Sequence, residues 1–352
     1  MTKRGVIEIQ FNWIFVLVVG AIILMFFFLF VQKQKGFAEE RNAGRLMTDL
    51  EAIFVGAQVS KGASFPVDIP SIPIHFSCDE NCLCTYEVSG VSRQYKDALI
   101  FAPDPLEGNS MILWSKEFKM PFRVINLLML SSDKTKYYVI YDPDNAVSGQ
   151  QKEVLEKNLP QNIQIEYFDS TQTDQVTFNN DPFTKIIILG EDTLTDFGNF
   201  IRLMNDRFED KDVNVIVIKS NNEIDFHDKT RATANIPLQP TKTLPWFDET
   251  SIFAASFANN GQMYLCNMKN SLQRLSLVAP VLKERAEMLG QEDSLGRCTY
   301  ESGISYLDDI QLQAGTLAGS NLVEDRVGLG ISVQSLKNEN QQKLQDNCPA
   351  IY

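Results

Sequence analysis

The residues with most chemistry to offer are six cysteines, two histidines and a few carboxylates that follow apolar runs. His75, Cys78, Cys82 and Cys84 fall within ten residues, and three thiolates with one imidazole could hold a structural zinc ion. Such sites usually draw ligands from two separate knuckles. This cluster has one hairpin, so disulfides are the favoured reading and neither a metal nor a cofactor is assigned. With Cys266, Cys298 and Cys348 the six allow fifteen connectivities. A three-residue loop, Asp79-Glu80-Asn81, sets Cys78 against Cys82. Cys298 precedes one expected helix and Cys348 follows the helix that returns beside it, which leaves Cys84 with Cys266.

Asp142, Asp144, Glu191 and Asp192 follow two apolar runs, where open α/β sheets bind ligands and where clustered carboxylates would suit a hard cation. The competing reading is a turn and a helix cap, which Tyr141-Asp142-Pro143-Asp144-Asn145 favours. His227, between Asp225 and Asp228, is the remaining histidine able to serve as a general base, and a polar loop explains it equally well. Gly328-Leu329-Gly330 lacks the third glycine and preceding strand of a dinucleotide loop. No GxSxG, P-loop or HExxH sequence occurs, so no residue is assigned a catalytic role.

The elements that would position these residues change character along the chain. Short apolar stretches at 72–77, 83–88, 98–101, 111–114 and 122–130, punctuated by Pro and Gly, predict an antiparallel β meander. From residue 136 strands alternate with helices: strands at 137–141, 163–168, 186–189 and 213–218, helices at 150–159 and 195–208. Runs apolar at every position suit a mostly parallel βαβ sheet covered on both faces. Apolar residues at helical spacing predict helices over 262–289, 300–317 and 331–345, with Pro280 a kink in the first. The expected fold class is therefore α/β. The expected segments are an anchor (1–36), a juxtamembrane helix (37–60), a β-rich part (61–134), a Rossmann-like part (135–258) and a helical part (259–352).

The strongest single signal precedes all of these. No charge occurs from Phe11 to Val31, and 21 residues of helix span roughly 30 Å, the depth of a bilayer's hydrocarbon. Trp13 marks one end and Lys33 and Lys35 the other, so the lipid bilayer is the first expected partner. Residues 1–45 hold six basic and three acidic side chains, so the net charge of −13 leaves −16 on the rest. A domain so acidic repels phosphate backbones, and no nucleic-acid partner is expected. Basic residues flank the span on both sides, and their count alone would keep the domain in the cytoplasm. Six cysteines, all beyond the span, argue for an oxidising compartment and are given more weight.

Lys3-Arg4-Gly5 followed by Val6-Ile7-Glu8 and the apolar run resembles the class III signal of type IV pilin-like proteins. The resemblance implies cleavage after Gly5, a mature start at Val6, and a Glu near that start. Here Glu8 would be third and Gln10 fifth, where the family places Glu fifth. The strand and helix order over 137–218 resembles the front half of the class I glutamine amidotransferase-like fold. There the last strand leads to a glycine-flanked nucleophile, whereas this chain has Lys219-Ser220-Asn221-Asn222. The expectation is a membrane-anchored structural or interaction protein of the cell surface, pilin-like, with protein partners or self-assembly. The alternative is an anchored receptor or hydrolase-like enzyme using the carboxyl edge of the sheet.

Overall fold

The computed structural model describes residues 5–60, 62–95, 97–175, 183–190, 198–207, 213–229, 235–292, 297–322 and 326–352. The apolar run and the amphipathic segment after it form one helix, α1 (Gly5–Val59), of 55 residues and roughly 80 Å. No proline precedes Pro66, so no backbone donor is missing along it. Its two halves differ in surroundings. Ala43, Met47, Leu50, Phe54 and Ala57, spaced four and three apart, are buried against the rest of the molecule. The side chains from Trp13 to Val31 are bare.

Seven strands follow: β1 (Ser64–Asp68), β2 (Ile74–Cys78), β3 (Cys84–Val88), β4 (Val91–Gln94), β5 (Leu99–Phe101), β6 (Ser110–Lys119) and β7 (Arg123–Ser132). They form two sheets rather than one meander, ordered β1-β6-β7-β5 and β2-β3-β4. Burial explains the split. β2 alternates buried Ile74 and Phe76 with exposed His75 and Ser77, as a sheet with one wet face requires. β5 is buried at every position and pairs parallel with central β7.

The second layer comprises β8 (Thr135–Tyr141), α2 (Ala146–Asn158), β9 (Gln164–Asp169), β10 (Phe183–Leu189), α3 (Gly198–Arg207), β11 (Val213–Ile218), β12 (Glu223–Lys229) and β13 (Lys242–Pro245). The six-strand order is β13-β12-β11-β10-β8-β9, with β9, β8, β10 and β11 parallel and the last two antiparallel. Tyr138, Ile140, Ile186, Ile188, Val215 and Val217 face Phe200, Ile201 and Met204 of α3. Tyr137, Val139, Ile187, Leu189 and Ile216 face the main core. Both faces are covered, which is why the strands carry unbroken apolar runs.

Four helices complete the chain: α4 (Glu249–Phe257), α5 (Gly261–Glu292), α6 (Glu301–Gly319) and α7 (Arg326–Gln345). Pro280 lies inside α5. Gly303, Leu307, Ile310, Ala314 and Leu317 form one buried stripe on α6, which packs on α5 and α7.

Candidate functional site

The most distinctive feature is the change of environment along α1. Nineteen residues, Trp13–Val31, have a mean hydropathy of 3.3 and no buried side chain, so this helix is long and apolar enough to cross a bilayer. Its far end is gripped. Tyr86 donates its hydroxyl to Met47 O at 3.2 Å, and Ser115 Oγ donates to Ala57 O at 2.8 Å. Arg93 meets Glu51 at 2.6 Å and Asn126 Nδ2 donates to Ser60 O. Ala57 O and Ser60 O lie at the end of the helix, where carbonyls lack an i+4 partner, whereas Met47 O and Glu51 lie within it. Gly5, Val6 and Glu8 lie in the first turn of α1; their side chains are outside the described residues.

β9 lies on one side of β8 and β10 on the other, so the strand order switches between parallel β8 and β10, and the carboxyl edge there is where such folds bind ligands. Here the two strand ends are joined directly. Ser148 Oγ donates to Leu189 O at 2.9 Å and accepts from Asp142 N at 2.9 Å. Asn145 caps α2 through Val147 N and Ser148 N while its Nδ2 reaches Gly190 O at 3.4 Å. Asp142 Oδ1 accepts from Asp144 N, closing a turn. Asp142 and Asp144 therefore serve the loop geometry, and Glu191 and Asp192 lie outside the described residues. Among the described residues no group of three metal-binding side chains occurs.

All six cysteines are paired: Cys78 with Cys84, Cys82 with Cys266, and Cys298 with Cys348. The expected pairs Cys78–Cys82 and Cys84–Cys266 are corrected by a shift of one residue in the hairpin. The three-residue loop is Glu80-Asn81-Cys82, closed by Asp79 and Leu83, with Cys82 at φ +60. Cys84 then stands opposite Cys78, and Cys82, at the tip, reaches α5.

The two histidines have different settings. His75 is exposed on β2 and bonds Asp104 through Nδ1 at 2.9 Å, away from any cysteine available to a metal. His227 is buried on β12, its Nδ1 against Pro237 O at 2.8 Å, and burial holds its pKa below the usual histidine value. Ser220 lies in an exposed turn from β11 into antiparallel β12. A nucleophile elbow needs a strand leading into a helix, so the amidotransferase-like pattern ends there.

Comparison with protein-family models, with characterised proteins and with solved structures gives no match for this chain.

One cleft had no signal in the sequence. About 770 Å³ in volume, it opens between β6, β7 and the start of α4, with Lys116, Glu117, Lys119, Arg123, Asp248 and Glu249 on its walls. Glu117 takes Lys119 at 2.5 Å and Arg123 at 3.4 Å. Lys116 Nζ sits 4.8 Å above the Phe253 ring and donates to Asn158 Oδ1; burial pulls its pKa down. Asp248 caps α4 by accepting from Ser251 N, and burial pushes its carboxyl up to about 6. Three cations meet three anions there, so the cleft has no net preference for either sign. Segments more than 120 residues apart build it, beyond the reach of any local pattern.

Proposed function

We propose that the chain is a membrane-anchored structural or interaction subunit of the cell surface, pilin-like in construction, with its acidic domain outside the cytoplasm. The observation that carries this is α1: one unbroken helix, bare and apolar in its first half, packed into the domain core in its second. A helix built that way transmits the position of the membrane span rigidly to the domain. The three cystines support the outside placement, because disulfides persist in oxidising compartments. The edge-of-sheet receptor or enzyme draws less support, since Ser148 and Asn145 close the β8–β10 crevice.

The test is the mature N-terminus. Protein extracted from membranes of the native host should begin at Val6, and Gly5→Leu should block that processing while the domain stays folded. A start at Met1 or Thr2 refutes the pilin-like reading and leaves a plain anchor. Placement is tested separately: membrane-impermeant thiol reagents applied to intact cells after mild reduction should label Cys78 or Cys82. Labelling only after lysis overturns the outside placement.

A further inference from the structure

Lys116 and Glu249 both line the cleft between β6, β7 and the start of α4. The other charges there are engaged locally. Glu117 holds Lys119 and Arg123, and Asp248 accepts from Ser251 N as the cap of α4. Lys116 is held differently. Its ammonium lies 5.5 Å from the Trp114 ring and 4.8 Å from the Phe253 ring, which fixes the side chain without neutralising it. It donates to Asn158 Oδ1 at 2.8 Å, and among the described residues it has no other hydrogen-bond partner, so two of its three N–H donors stay open. Glu249 is exposed and, among the described residues, has no hydrogen-bond or ion-pair partner. It is near enough to favour the charged form of the Lys116 amine, yet no ion pair joins the two.

An open ammonium and an open carboxylate on one cleft, close but unpaired, complement a ligand that carries both charges side by side. The volume of about 770 Å³ falls within the roughly 300–1,000 Å³ of small-molecule sites. The wall formed by Glu117 with Lys119 and Arg123 is already paired, so it suits polar groups without charge. We propose that this cleft binds a free α-amino acid with a polar, uncharged side chain, its carboxylate on Lys116 and its ammonium on Glu249. A zwitterionic lipid head group is out of reach. α1 runs on from Val31 to Val59, roughly 40 Å of helix, before the cleft begins at Gly62. The site is independent of the pilin-like reading and gives the domain a ligand-binding role beyond its anchoring.

The test uses the full chain in non-ionic detergent micelles and L-glutamine as the probe, titrated by ligand-observed saturation-transfer NMR. Binding should saturate with a Kd of about 1 mM or tighter, ordinary for so small a ligand. Glutaramic acid, which lacks the ammonium, and 4-aminobutanamide, which lacks the carboxylate, should each bind about 10-fold more weakly. Glu249→Gln should weaken L-glutamine about 10-fold and leave glutaramic acid unchanged. Lys116→Met should weaken L-glutamine about 10-fold and leave 4-aminobutanamide unchanged. No saturation by about 10 mM L-glutamine overturns the proposal, as does a Glu249→Gln protein that binds it as well as the unaltered one. Should Lys116→Met not fold, Glu249→Gln decides alone, because that side chain is exposed and holds nothing in the fold.

Discussion

Lys185 and Asp228 stand in one register row of the six-stranded sheet, with Asn214 between them, and hold the two sides of the α4–α5 junction. Lys185 Nζ donates to Ala258 O at the end of α4. Asp228 accepts from Asn214, Thr241 and the Gly261 amide that opens α5. Each charge faces the helix end whose dipole it complements. The junction is buried, so burial lowers the Lys185 pKa to about 7 and raises that of Asp228.

Lys185 should therefore contribute stability that rises with pH above neutrality, opposed near pH 10 by buried tyrosines such as Tyr137, whose pKa burial raises. Between about 7 and 10.5 the unfolded chain holds a proton on Lys185 that the folded one does not, so each pH unit adds up to about 1.4 kcal/mol. Lys185→Met should flatten that slope in urea titrations. An unchanged slope would mean that Lys185 keeps its proton in the fold.

The disulfides should rank by the loop each closes. Sequence separations of 184, 50 and 6 correspond to about 5, 4 and 2 kcal/mol of unfolded-chain entropy for Cys82–Cys266, Cys298–Cys348 and Cys78–Cys84. Denaturant midpoints of the three paired Cys→Ser variants give the order. Non-reducing peptide maps that link Cys78 to Cys82 would contradict the hairpin register itself.

Two neighbouring glycines should respond oppositely to alanine. Gly190 has φ +75, and a Cβ would come within 2.7 Å of Ser148 Cβ, so Gly190→Ala should cost about 1–3 kcal/mol. Gly149, in α2, has nothing within 4 Å of that position, and Gly149→Ala should stabilise by about 0.5–1 kcal/mol. Thermal unfolding of both variants tests the stitched edge.

Removing residues 1–36 should give a soluble, folded domain, because the bilayer-length run is gone while Met47, Leu50 and Phe54 remain in the core. Phe54→Ala in that protein should cost about 3–5 kcal/mol. Retention of the truncated protein by detergent micelles would reveal a second membrane-binding element.

What the sequence determined was whatever depends on neighbouring residues. The uncharged run from Phe11 to Val31 specifies a helix suited to hydrocarbon in any context, and the continuous apolar runs of β8, β10 and β11 demand two covered faces. α5 shows its periodicity because only part of its circumference is buried. α4 gave no such sign: Ile252, Phe253, Ala254, Ala255 and Phe257 are buried all round, so nothing distinguishes one side from another. β12 reads as a solvated loop, yet Asp225 and His227 are buried there. Asp225 is tolerated because Lys219 lies 2.7 Å away and Thr243 donates to it, and both come from other strands or turns. The hairpin register likewise rested on Cys82 taking a left-handed conformation and reaching α5, 184 residues on. Local pattern fixes where apolar surface must go; which buried charges are bearable, and which cysteines meet, depends on partners that only the folded chain brings within bonding distance.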